Sequence, residues 1–213
     1  KPIKDSKLMN LFIKRARIQK HAIEKINCAC RIIANRYPSH GRWIIYCDDG
    51  RQMMSVANLL REKVKHVPIL VYHSKMSQDD RNSTLSYLQN KPSIVVSIRC
   101  LDEGVDIPAV DGALILASST NPREYIQRRG RVLRKAKDKN KSLIIDTIVL
   151  PNSNLDAEDN LLPMVRSELA RAWEFANLAE NKDVIHRLWR LCKNFGVNIS
   201  SDARLNLYDE KED

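Results

Sequence analysis

Between Gly41 and Leu150 one pattern repeats along the chain. A short run is apolar at nearly every position, a polar turn follows, and then comes a stretch whose apolar residues recur three and four apart. The runs are Trp43 to Cys47 (WIIYC), Pro68 to His73 (PILVYH), Ser93 to Ile98 (SIVVSI), Gly112 to Ala117 (GALILA) and Ser142 to Leu150 (SLIIDTIVL). Strands that are apolar throughout are buried on both faces, unlike the alternating strands of a half-exposed sheet. Between them, Met53 to Lys65 reads as a helix with Met53, Val56, Leu59, Leu60 and Val64 turned inward. Ser77 opens a further helix, with Asp80 completing a capping box and Leu85 and Leu88 on the buried side. Strands that alternate with helices predict an α/β fold: a parallel sheet with helices on both faces.

The flanks follow the helical period alone. Residues 6–36 predict a long helix broken at most once, with Leu8, Leu11, Phe12, Ala16, Ile23, Ile26, Cys30 and Ile33 on one side and Pro38 beyond its end. After a polar connector at 151–160, Pro163 to Glu180 predicts a helix buried through Val165, Leu169, Ala172, Trp173 and Ala176. Asp183 to Phe195 predicts another, buried through Ile185, Leu188, Trp189 and Cys192, with Gly196 as its C-cap. Residues 200–213 read as a frayed acidic tail. The expected division is a helical lead-in at 1–40, the α/β domain at 41–150 and a helical extension at 151–213.

In a parallel sheet ligands sit beyond the C-terminal strand ends, and the polar clusters fall there: Asp48-Asp49, His73-Ser74, Arg99 to Asp106 and Ser118 to Asn121. The last of these opens NPREYIQRRGRVLR, Asn121 to Arg134. Asn121 can cap a helix there, Pro122 suits its first position, and Glu124 can reach back to the unpaired N–H groups. Gln127, Arg131 and Arg134 are spaced to share one helical face, and Gly130 allows close approach. A carboxamide and two guanidiniums on one spot form an anion clamp suited to phosphate oxygens; the plainer reading is a solvated basic helix. In SIRCLDEGVDIP, Ser97 to Pro108, Gly104 and Asp106 bracket a bend. There a carboxylate can accept a ribose hydroxyl, or merely close an Asx turn.

Charge sharpens this picture. Up to Leu150 there are 28 basic and 14 acidic residues, net +14; beyond it 8 and 12, net −4. A positive field over the α/β part favours nucleic acid or another polyanion. The five cysteines have no zinc spacing and no disulfide framework, which predicts a reducing, cytoplasmic setting. No apolar run has membrane-spanning length, so no membrane partner is expected. A chain beginning with Lys1 reads as a piece of something longer.

Taken together, the motifs resemble those of the C-terminal RecA-like domain of superfamily-two (DEAD/DEAH-type) helicases and translocases. RWIIYC is similar to motif IV, G-x-D-x-P at Gly104 to Pro108 to motif V, and Q-x-x-G-R-x-x-R at Gln127 to Arg134 to motif VI. HSKMSQDDR resembles the segment after motif IV. The variant RCLDEGVDIP with STNPREYIQRRGRVLR looks most like bacterial or phage DNA translocases, including motor subunits of restriction and defence systems. The resemblance implies a RecA-like sheet and ATP with Mg²⁺ as cofactors. It makes Arg131 and Arg134 arginine fingers, has Gln127 orient the γ-phosphate end, and puts Gly104 and Asp106 at the ribose. Ser74, Ser97 and Arg99 would lie near the backbone of DNA, with RNA the other strand possible. Where many members carry a threonine this chain has Ile98. Neither G-x-x-x-x-G-K-[ST] nor D-E-x-[DH] is present, so a separate N-terminal RecA-like domain is the implied partner, and the fragment alone is expected to be inactive. The competing expectations are a non-catalytic nucleic-acid-binding module on the same fold and a small-molecule phosphotransferase domain.

Overall fold

The computed structural model describes residues 20–37, 41–98, 110–117, 141–151 and 161–198, with Lys14, Arg17, Ile18 and Lys139. It divides into two compact units. Lys14–Thr147 form one, and Ile148–Asp213 with Lys1–Ile13 form the other.

In the first unit the predicted alternation becomes α1 (Ile23–Arg36), β1 (Arg42–Tyr46), α2 (Gly50–Lys63), β2 (Ile69–Tyr72), α3 (Gln78–Asn90), β3 (Ser93–Ser97), β4 (Gly112–Ile115) and β5 (Leu143–Asp146). The five strands are all parallel, in the order β2-β3-β1-β4-β5. The chain leaves β1 toward β2 on one side and later crosses to β4 on the other, so the winding reverses between β1 and β4. Such a reversal is where an open parallel sheet offers a crevice.

Burial follows from this order. Every residue of β3 and β4 is buried, as are four of five in β1. The run at 142–150 shortens to Leu143–Asp146, exposed or half-buried, because β5 is an edge strand paired only with β4. On one face, Trp43, Ile45, Ile94, Val96 and Leu114 pack with Ala29, Cys30 and Ile33 of α1 and Met53, Val56, Ala57 and Leu60 of α2. The lead-in helix therefore shares the sheet's core. Trp43 fits there only because its register partner is Gly112, where a Cβ would stand 2.3 Å from the indole.

Local signals set the helix ends. Asp49 caps α2 by accepting from the Gln52 amide, and Ser77 caps α3 by accepting from the Asp80 amide. The long helix expected over 6–36 is interrupted at His21–Ala22, where Ala22 leaves helical geometry at ψ 123°.

The second unit holds α4 (Leu162–Leu178) and α5 (Asp183–Asn194). Val165, Leu169, Ala176, Leu188, Cys192 and Val197 form its core, joined by Ile148 and Leu150. Glu168 accepts from the Val149 amide and pairs with Arg171 at 2.9 Å, which lets that arginine be buried. Gly196 at φ +61° closes α5: its amide donates to Lys193, the Val197 amide donates to Cys192, and Val197 packs back into the core. One expectation fails here. Trp189 is not buried but 57% exposed. Val184, Leu191 and Phe195 join the apolar stripe; at 3.6 residues per turn they put its centre roughly 100° from Trp189.

Candidate functional site at the C-terminal strand ends

The C-terminal rim of the sheet carries the polar groups that the apolar strands exclude, and its parts differ. At the end of β1, Asp48 is gripped from the lead-in. Lys20 Nζ lies 3.1 Å from Oδ1 and His21 Nε2 3.1 Å from Oδ2, with Asp49 3.7 Å from the same imidazole. Gln52, almost wholly buried, accepts from the Asp48 amide at 2.8 Å and donates to the Lys20 carbonyl at 2.7 Å. At the end of β4, Lys25 is 7% exposed and donates from Nζ to the Leu116 carbonyl at 2.6 Å. Thr147, leaving β5, donates its hydroxyl to the Ile115 carbonyl at 2.9 Å and also approaches that of Leu116. Among the described residues, the rim between β1 and β4 is thus engaged by Lys20, His21 and Lys25 of the lead-in.

Beyond β2 the rim is different. His73 to Met76 form a tight turn, in which the Met76 amide donates to the His73 carbonyl at 3.2 Å. Ser74 and Lys75 stand exposed at its tip. Ser97, at the end of β3, is fully buried between its register neighbours Tyr46 and Tyr72, and its hydroxyl has no hydrogen-bond partner among the described residues. The next residue, Ile98, packs against the core.

Of the predicted site residues, the structure places Ser74 at the surface and Ser97 inside. In this arrangement Ser97 does not meet a strand from solvent. Arg99, Gly104, Asp106, Gln127, Arg131 and Arg134 lie outside the described residues. Lys20 and Lys25 read only as part of the polar side of the lead-in helix, and His21 carries no motif; Gln52 left a signal, since Asp49-Gly50-Arg51-Gln52 has capping-box spacing.

Burial pushes the Cys47 thiol far up, and the Asp49 and Asp48 charges add to this, so it is a neutral packing group and not a nucleophile. Cys28, Cys30, Cys47 and Cys192 are free thiols. Among the described residues no cluster of metal-ligating side chains occurs, and no helix is long and apolar enough to cross a membrane.

A doubly wound, all-parallel sheet with a polar C-terminal rim is the RecA-like arrangement. The chain belongs to the helicase conserved C-terminal domain family, which it matches over residues 24–136, more than half of the sequence. It is similar to the ATP-dependent RNA helicase HAS1 of Kluyveromyces lactis, 37% identical over 82 residues, or 38% of this chain and 16% of that protein. The chain thus spans about a sixth of the curated relative it matches. In fold it resembles the RNA helicase Prp28 from Chaetomium thermophilum bound to ADP, with a TM-score of 0.52 at 16% identity over 76% of this chain and 37% of that one. The C-terminal domain of the DEAD-box protein Dbp5 gives a TM-score of 0.51 at 14% identity over 75% of this chain and 88% of that one. A restriction or defence motor, expected from the sequence variant, draws no support from these relatives.

Proposed function

We propose that this chain is the second motor lobe of an ATP-dependent nucleic-acid helicase or translocase. ATP and Mg²⁺ are held mainly by an N-terminal RecA-like lobe that carries the phosphate loop. This lobe adds Arg131 and Arg134 to the γ-phosphate, Gln127 to orient that end, and Gly104 with Asp106 at the ribose. The observation that carries the reading is the family match over residues 24–136, a span that contains Q-x-x-G-R-x-x-R but no phosphate-loop lysine. Fixed guanidiniums stabilise charge that develops on the transferring phosphoryl group, and such a finger is worth about 10³ to 10⁵ in rate.

The strand is gripped by its phosphates at the rim, by Ser74 at the exposed turn and by Arg99 after β3. RNA is the first choice of strand, supported by the printed names of the sequence relatives. DNA is the second, supported by the RCLDEGVDIP and STNPREYIQRRGRVLR variant. With the N-terminal lobe joined, Arg134→Ala should abolish nearly all strand-stimulated ATP turnover, and unchanged turnover refutes the finger role. Titrating matched RNA and DNA strands into the same protein decides between the two substrates.

A further inference from the structure

The helical extension carries an exposed aromatic that its own fold does not use. Trp189 projects from α5 beside the buried stripe, roughly 100° around the helix from its centre, with 57% of its surface open. His186 and Lys193, three before and four after, share its face, and Arg190 stands on the adjoining face; all three are exposed. Lys193 Nζ lies 5.6 Å from the indole centroid, a cation–π distance that keeps the ring against the helix surface. Asp183 is paired with Arg187 at 3.4 Å. Among the described residues Arg190 and Lys193 make no ion pair. This face is therefore positive although the tail as a whole, beyond Leu150, is net −4.

A flat π-surface flanked by an ammonium, with a guanidinium on the adjoining face, matches one kind of partner by charge and shape. A base stacks on the indole while the flanking phosphates meet guanidinium and ammonium. We infer that the α5 face around Trp189 is a second contact for single-stranded nucleic acid, separate from the strand-end rim and indifferent to base identity. The inference rests on the proposed reading of the chain as a nucleic-acid motor lobe.

Tryptophan emission offers a direct probe, because Trp43 is sealed in the sheet core and Trp173 is half-buried, which leaves Trp189 as the accessible indole. The full chain is titrated with a single-stranded poly-U or poly-dT oligonucleotide, following both tryptophan emission and the anisotropy of a labelled strand. Wild type should bind with quenching. Trp189→Phe should bind without that quenching, and Trp189→Ala should lose roughly ten-fold in affinity. Arg190→Gln with Lys193→Gln should lower the dependence of log affinity on log salt by about one to two. Far-ultraviolet circular dichroism confirms that each variant keeps its helices. Binding that is unquenched and equally tight in Trp189→Ala overturns the α5 contact and leaves the motor reading standing. If neither strand binds at low salt, both fall. If emission changes only with protein concentration, the face joins two copies of the chain and the proposal is wrong.

Discussion

The two sides of the sheet's C-terminal rim are built for different purposes. Between β1 and β4, where the winding reverses, polar groups face one another: Lys20 and His21 on Asp48, Gln52 on the backbone at both Asp48 and Lys20, Lys25 on the Leu116 carbonyl. Past β2, Ser74 and Lys75 are left to solvent at a turn tip. A sheet of this topology ordinarily keeps its ligand crevice at the reversal. Here Lys20, His21 and Lys25 of the lead-in close on the described rim between β1 and β4, while Ser74 and Lys75 stay exposed. The closure is made by residues far apart in sequence: Lys25 and Leu116 are 91 positions apart, Lys20 and Gln52 32.

This contrast can be broken at both ends. The largest stability effect is expected at Lys25. Lys25→Met keeps the length of the stem but removes the buried donor, and should cost about 1–3 kcal/mol in denaturant unfolding. A loss below experimental error would mean that the lead-in is not fastened at β4. Asp48→Asn should cost less, about 1 kcal/mol, because its partners are partly solvated, and high salt should shrink the difference. Ser74→Ala with Lys75→Ala should move stability by no more than about 0.5 kcal/mol yet weaken strand binding, with a salt slope shallower by about one. A variant destabilised but unchanged in binding would reverse the roles of the two sides.

The smallest effect is a pH dependence at the opposite end of the sheet. Tyr37 donates its hydroxyl to the Gly41 carbonyl, and burial, then the Asp111 charge, pushes its phenol up to about 12. A phenol whose folded value lies above its ordinary 10.0 stabilises the protein fully below pH 10 and loses that contribution as pH rises toward 12. Tyr37→Phe should flatten stability against pH in that window. An unaltered slope would assign it to other groups.

Much of the sheet was legible because five apolar runs separated by helical periods permit few other folds; strand ends moved by one or two residues in β1 to β4 and furthest at β5, an edge strand paired only with β4. Caps at Ser77 and Gly196 were legible because capping is local, whereas Asp49 read only as part of a polar turn and the helix it caps begins three residues earlier than expected, at Gly50. Trp189 was misread because the stripe of α5 depends on Val184, Leu191 and Phe195 as well as on the residues first counted. Lys25 read as part of the polar side of the lead-in, and its burial was hidden because a helical lysine declares nothing about a carbonyl far along the chain. Ser97 looked like a rim residue by its place at a strand end, but neighbours on both sides cover it. The anion clamp and the ribose loop were read from motif spacing alone, and their residues lie outside those the structure describes.

The central claim is that this chain holds half of an ATP site. ATP turnover of the chain alone, and then of the chain joined to a lobe bearing the phosphate loop, tests it most directly. The account predicts background hydrolysis alone and strand-stimulated turnover once joined, with Arg131→Ala or Arg134→Ala lowering it by about 10³ or more. Motor-like hydrolysis by the chain alone, or joined turnover indifferent to both arginines, would contradict it.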